Sequence, residues 1–236
     1  MNAHLGLGTV ATAALDTALL AALAVEAPAD VDTVPVVPAS AANQTLETLY
    51  FDAPTGGIAA THDGHKPIRP FPPGIARLDD PPLASAFVLL AKARDSHGRV
   101  VGFASEMEEV AAVSDIAQGR MIMRTTWTVQ LAGRGTLFCH QVEDASEFAR
   151  KVVGPALRLG TSWDRPWTFV TTVGPGPDGR GVIARGTGEF EGVTGSFVEV
   201  THLRRFTPDG GMWLTMELQL AYTRPGATRA PARSRS

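Results

Sequence analysis

Two carboxylates and two phenols are the side chains whose spacing can do chemistry. Glu106 and Glu108 stand two residues apart in Val100–Val110 (VVGFASEMEEV). Residues two apart in a strand share one face, about 7 Å from each other. If that face lines an enclosed interior, desolvation and mutual repulsion raise both pKa values. One acid can then act as a general acid or orient a carbonyl. The opposite face, Val101, Phe103, Ser105 and Met107, is the more apolar, and burying it would turn both acids to solvent. Both registers are open at this level, because a slip of one residue exchanges the faces. Tyr50 and Tyr222 are the two tyrosines. A phenol at the rim of a cavity can hydrogen-bond a substrate oxygen, so Tyr222 joins Glu106 and Glu108 as a catalytic candidate and Tyr50 is a candidate substrate contact.

Other reactive residues lead to exclusions. His140 with Glu143, and His62 with His65, have spacings seen at metal sites but lack the further ligands a site needs. Cys139 neighbours His140, and adjacent strand residues point to opposite faces, so the thiol reads as a small buried hydrophobe. No nucleophile elbow supports Ser-His-Asp chemistry. The run Gly186-Thr187-Gly188-Glu189-Phe190-Glu191-Gly192-Val193-Thr194-Gly195 is not a dinucleotide fingerprint. The third glycine would have to stand at 191, which is Glu191, and strand-like alternation follows instead of a helix. No P-loop is present either. No metal or cofactor is expected. The run reads as a strand bending sharply at a barrel corner.

These residues must be positioned by a chain of 236 residues, 44% hydrophobic and 19% charged, with a formal net charge of −3. That suits one domain with long arms and gives no field that would attract nucleic acid. A single cysteine rules out an internal disulfide framework and fits a reducing cytoplasm. Residues 1–65 contain seven acids and no Lys or Arg. Within them Thr9–Val25 is Ala- and Leu-rich. It has no positive n-region for a signal peptide, and Asp16 interrupts a run already too short to span a bilayer. The expected organisation is an arm and linker over 1–44, a β domain over 45–223 with an insertion at 143–166, and an Arg-rich disordered tail over 224–236.

The β domain is read from alternation and turns. Strands are predicted at Thr45–Asp52, Ala84–Ala93, Val100–Val110, Met121–Leu131, Thr136–Val142, Trp167–Val173, Phe197–Phe206 and Met212–Tyr222. Seven prolines make Ala53–Pro82 a long loop, expected to close over the binding site. Asp144–Leu159 breaks the meander with helix-like spacing. Short turns between many strands point to an antiparallel sandwich or barrel.

The string GTGEFEGVTGSFVEV resembles the signature of allene oxide cyclase-like and dirigent-like barrels. The Val-Gly-Phe-Ala-Ser strand and the Arg-Gly turn ahead of it fit the same order, and the resemblance spans roughly Leu83 to Tyr222. It implies an all-β fold, an antiparallel eight-stranded calycin-like barrel with a long arm and one helical or irregular insertion. Bacterial barrels of this kind include polyketide cyclases, among them spirotetronate-type Diels–Alderases. The resemblance therefore implies a cofactor-independent cyclase that folds a flexible apolar substrate in the lumen for ring closure.

Eight strands enclose room for about one small ligand. The faces Met123, Thr125, Trp127 and Val129, and Leu214, Met216, Leu218 and Leu220, are expected to line it, with Met123, Thr125, Trp127, Leu214 and Met216 contacting substrate. A non-catalytic dirigent-like protein that holds an apolar ligand is the alternative, and a filled barrel assembled through its arm is a third. The expected partner is a small apolar substrate, with no nucleic acid and no membrane. The expected assembly is a homo-oligomer, with a dimer favoured, in the cytoplasm.

Overall fold

The computed structural model describes residues 44–53, 57–60, 86–115, 118–209 and 211–225. The arm, most of the proline-rich loop (His62 and His65 included) and the tail beyond 225 lie outside the described residues. The described residues form eleven strands: β1 (Thr45–Ala53), β2 (Gly57–Ala60), β3 (Ala86–Arg94), β4 (Val100–Val110), β5 (Ile122–Leu131), β6 (Gly135–Asp144), β7 (Trp167–Val170), β8 (Thr172–Gly174), β9 (Gly181–Gly186), β10 (Thr194–Phe206) and β11 (Met212–Thr223).

Eight of them close a barrel in the order β1-β11-β10-β9-β6-β5-β4-β3, and a β1–β3 pairing at Tyr50 and Arg94 shuts the ring. Every pairing around the ring is antiparallel. The eight-stranded barrel expected from the sequence is therefore the fold. Strand β9 was not legible as a strand, and the glycine run makes a turn between β9 and β10 rather than a bend within one strand.

The register defines two ends. At the lower end β1, β4, β6 and β10 begin and β3, β5, β9 and β11 finish; the upper end is the reverse. β9 is short, so the wall between β6 and β10 is built in two halves. β9 fills the lower half, pairing at Leu137–His140 and Gly195–Phe197. β7 and β8 fill the upper half, β7 against Val200–Leu203 and β8 against Val142 and Glu143.

The insertion is helical at the upper end: α1 (Ser146–Phe148), a π-helical turn (Ala149–Val153) and α2 (Gly154–Leu159). Pro155 follows directly on the π-helical turn, near the start of α2, and Gly160 ends the helix with φ 63°. Ala149, Val152 and Ala156 are buried. Phe148 stacks on Phe169 (centroids 5.7 Å apart) and meets Phe206 edge-on. No helix among the described residues is long and apolar enough to cross a membrane.

Candidate functional site

The barrel interior is divided by polarity. Its lower half is closed by apolar packing: Leu49, Leu131, Leu137, Phe190, Phe197, Leu218 and Leu220 are fully buried. Phe51 and Trp127 pack at mid-height, ring centroids 5.2 Å apart. The upper half is polar. Glu106, Thr125, Gln141, Glu143, Thr171, Thr172, Glu199 and Thr201 are all buried there, with Glu108 partly so. The expectation of an apolar lumen needs correction: acids converge beside the inward methionines and aliphatics of β5 and β11.

Strand β4 decides this. Glu106 is 2% exposed, while Phe103 and Met107 are 48% and 47% exposed. The less apolar face turns inward for steric reasons. Trp127 and Phe51 already fill the centre, and the inward residues below Glu106 are Ala104 and Gly102. A Cβ on Gly102 would collide with the backbone carbonyl of Gln130 on β5, so the strand packs too closely there for a phenylalanine. Register then sets Glu106 opposite Trp127 and Glu108 opposite Thr125.

The other acids come from strands across the interior. Glu143 follows Cys139 and Gln141 on the inward face of β6, and Glu199 follows Phe197 on that of β10. Thr125 donates a hydrogen bond to Glu143 Oε1, and Thr171 Oγ1 donates to Oε2 at 2.6 Å. Glu199 Oε2 accepts from Gln141 Nε2 at 2.5 Å and from Trp127 Nε1 at 3.3 Å. Thr172 Oγ1 donates to Gln141 Oε1 at 2.6 Å and accepts the Glu199 backbone N–H at 2.9 Å. The β7–β8 junction thus fixes both Gln141 and Glu143. One buried atom in the cluster, Glu106 Oε1, has no hydrogen-bond partner.

Burial drives the electrostatics. It pushes Glu199 up to about 8, with the Glu143 charge adding to it and the Gln141 and Trp127 bonds opposing. Burial, then the charges of Glu199, Glu108 and Glu143, holds Glu106 well above the ordinary carboxyl range. Burial and the charges of Glu143 and Glu199 do the same for Glu108. Glu143 is raised by burial and held back by its threonine hydrogen bonds. Four carboxyls this close cannot all ionise, so the cluster retains protons at neutral pH. Glu106 and Glu199 share a hydrogen bond when one is protonated. Cys139 is buried, as its strand alternation implied, and burial pushes its thiol up to about 12.

The two tyrosines do not join the acids. Tyr50 lies on the outer face of β1, between the inward Leu49 and Phe51 and opposite Glu217 in register. The expected substrate contact is therefore corrected, since β1 alternation turns the phenol away from the lumen. Tyr222 is inward and fully buried but belongs to the lower end. Its partner in register is Gly195, four residues from Glu199 along β10, or about 13 Å. Its hydroxyl donates to Glu47 Oε2 at 2.8 Å. Glu47 also forms a bidentate pair with Arg134, at 2.5 and 3.0 Å, and Arg134 reaches Glu189. Burial raises the Glu47 pKa, but the Arg134 and Tyr222 bonds outweigh it and hold the carboxyl below the usual range. This network seals the lower end. Arg224, expected in a disordered tail, pairs with Glu189 at 3.2 Å.

Met123, Thr125, Trp127, Leu214 and Met216 are all buried on inward faces of β5 and β11. Sequence reasoning missed Glu199 and the role of Glu143. The available signal was period two: Phe197-x-Glu199-x-Thr201-x-Leu203 and Cys139-x-Gln141-x-Glu143 each share a face.

No protein-family model matches the chain, and no curated protein matches it. Solved structures with similar chains include a cyclase, described as nonspecifically heme-binding, that catalyses [4+2] cycloaddition during neoabyssomicin biosynthesis. Identity is 12%, covering 82% of this chain and 74% of that one, with a TM-score of 0.35. The pterocarpan synthase dirigent protein PsPTS1 shares 13% identity over 78% of this chain and 96% of its own, with a TM-score of 0.41. The Diels–Alderase AbmU from Streptomyces koyangensis shares 11% over 98% and 89%, with a TM-score of 0.36.

Proposed function

We propose that this protein is a cofactor-independent cyclase of bacterial polyketide or other secondary-metabolite biosynthesis, acting on a small molecule taken into the upper half of the barrel. The observation that carries the reading is the buried pair Glu106–Glu199, with Glu106 Oε1 left without a partner; burial and the neighbouring carboxylates raise both pKa values and so favour a retained proton. A neutral carboxyl in a water-poor site is a hydrogen-bond donor aimed at a substrate oxygen. Donation to a conjugated carbonyl draws electron density from the acceptor and lowers the barrier to ring closure by a diene. General-acid assistance of this kind is worth about 10²–10⁴-fold. Holding diene and acceptor together supplies a further entropic gain. A cycloaddition transfers no electrons to an external carrier, so the reaction asks for no redox group.

The polar wall changes the expected substrate. It has an apolar body suited to Met123, Leu214 and Met216 and an oxygen acceptor suited to Glu106. The protonated pair favours catalysis over a passive dirigent-like role, for which a buried acid is a cost without a use.

The test is a purified-protein assay on polyenes carrying an unsaturated carbonyl, following rate and product stereochemistry. Wild type is expected to accelerate ring closure, and Glu106→Gln to lower kcat about 10²-fold. Acceleration unaffected by Glu106→Gln would point to ligand folding without acid chemistry. No acceleration over buffer would overturn the cyclase reading.

A further inference from the structure

We propose that the upper lumen is a binding site for a primary ammonium group, and, resting on the cyclase reading, that the substrate to be cyclised carries a protonated amine. Three carboxylate oxygens, one each from Glu106, Glu108 and Glu143, lie within 4.8 Å of one another. A central point is then no more than about 2.8 Å from each, the length of a charge-assisted N–H···O bond. An alkylammonium presents three N–H donors in a tripod, so three converging acceptors match it one to one.

A second observation points to the same ligand. Glu106 Oε1 is buried and has no partner. An orphaned buried acceptor is unfavourable until a donor arrives. Among the described residues, no Lys, Arg or His is hydrogen-bonded or ion-paired to Glu106, Glu108, Glu143 or Glu199. Met123, inward and opposite Glu143 in register, offers an apolar wall for the first methylenes.

The donor set favours an ammonium over a divalent metal ion. A hard cation such as Ca²⁺ takes six to eight oxygen ligands. Both oxygens of Glu143 already accept threonine hydroxyls, and Glu199 Oε2 accepts Gln141 and Trp127. Coordination by six oxygens would strip these bonds, whereas an ammonium needs one free lone pair on each of three carboxyls. The ammonium bonds Glu106 through Oε1 and leaves the proton shared by Glu106 and Glu199 in place for the ring closure.

Calorimetric titration of the full chain tests the site, using n-butylammonium, its neutral isostere n-butanol, Ca²⁺ and Mn²⁺ as separate probes. Saturable binding of butylammonium without binding of butanol is expected, weakened about tenfold or more in Glu106→Gln. If thermal melting shows that this variant is unfolded, Glu108→Gln replaces it, at a position partly open to solvent. No butylammonium binding, equal binding of butanol, unchanged affinity in the folded variant, or divalent ions binding where butylammonium does not, would each overturn the proposal. Glu106-dependent cyclisation of an amine-free polyene, with no ammonium binding, overturns this inference and leaves the cyclase standing. Ammonium binding without any cyclisation does the reverse.

Discussion

Trp127 Nε1 lies 3.3 Å from Glu199 Oε2, joining residues 72 positions apart in sequence across the barrel interior. The indole thereby forms the floor of the acid cluster and supplies one of its donors. Trp127→Phe keeps most of the ring volume and removes the N–H. The variant is expected to lose about 1–3 kcal/mol, measured by urea denaturation. An unchanged midpoint would show that the contact is too long to matter.

The acid cluster makes stability depend on pH in one direction. Glu106, Glu108, Glu143 and Glu199 all have pKa values raised above 4.5 in the fold, Glu199 to about 8. Between those values the native state holds protons that the unfolded chain has released. The contribution is fully present below about pH 4.5 and is lost as pH rises through about 8. Melting temperature is therefore expected to fall from pH 5 to pH 8.5, and Glu199→Gln to flatten the fall. A flat or rising wild-type profile would contradict the assignment.

Tyr222 is expected to be structural. Its hydroxyl bonds Glu47 at the lower end, about 13 Å from Glu199 by the strand rise. Tyr222→Phe should cost about 1–3 kcal/mol of stability and leave turnover and ligand affinity intact. Lost turnover in a stably folded variant would return Tyr222 to the catalytic set.

Gly195 tests the glycine run. A Cβ there would clash with the Ala221 carbonyl and stand 2.7 Å from Tyr222 Cα. Backbone on β11 cannot swing away as a side chain can, so Gly195→Ala is expected to cost about 1–3 kcal/mol or more. Gly98→Ala is the contrast in mechanism. A Cβ at Gly98 meets nothing within 4 Å, and its cost comes from φ 75° alone.

The acid site was half legible. Glu106 and Glu108 could be named from spacing, but their direction could not. Phe103 and Met107 made the wrong face look like the core, because hydrophobic patterning measures apolarity and not available volume. Glu143 drew notice only for its spacing from His140, and Glu199 lay inside an alternating strand without attracting any. Their meaning depends on Thr171 and Thr172, which arrive from a separate strand pair.

By itself the sequence determined what local physics controls. Period-two alternation gave most of the strands, and the faces of β5 and β11 that point inward. Glycine and proline placed the turns. Tertiary structure alone decided that four carboxyls from three strands meet in one buried place, that Tyr50 faces out, and that Tyr222 closes the far end. Alternation fixes which residues share a face. Which face is inside depends on the closure of the ring and on the space left by Trp127 and Phe51, and both are set by residues distant in sequence.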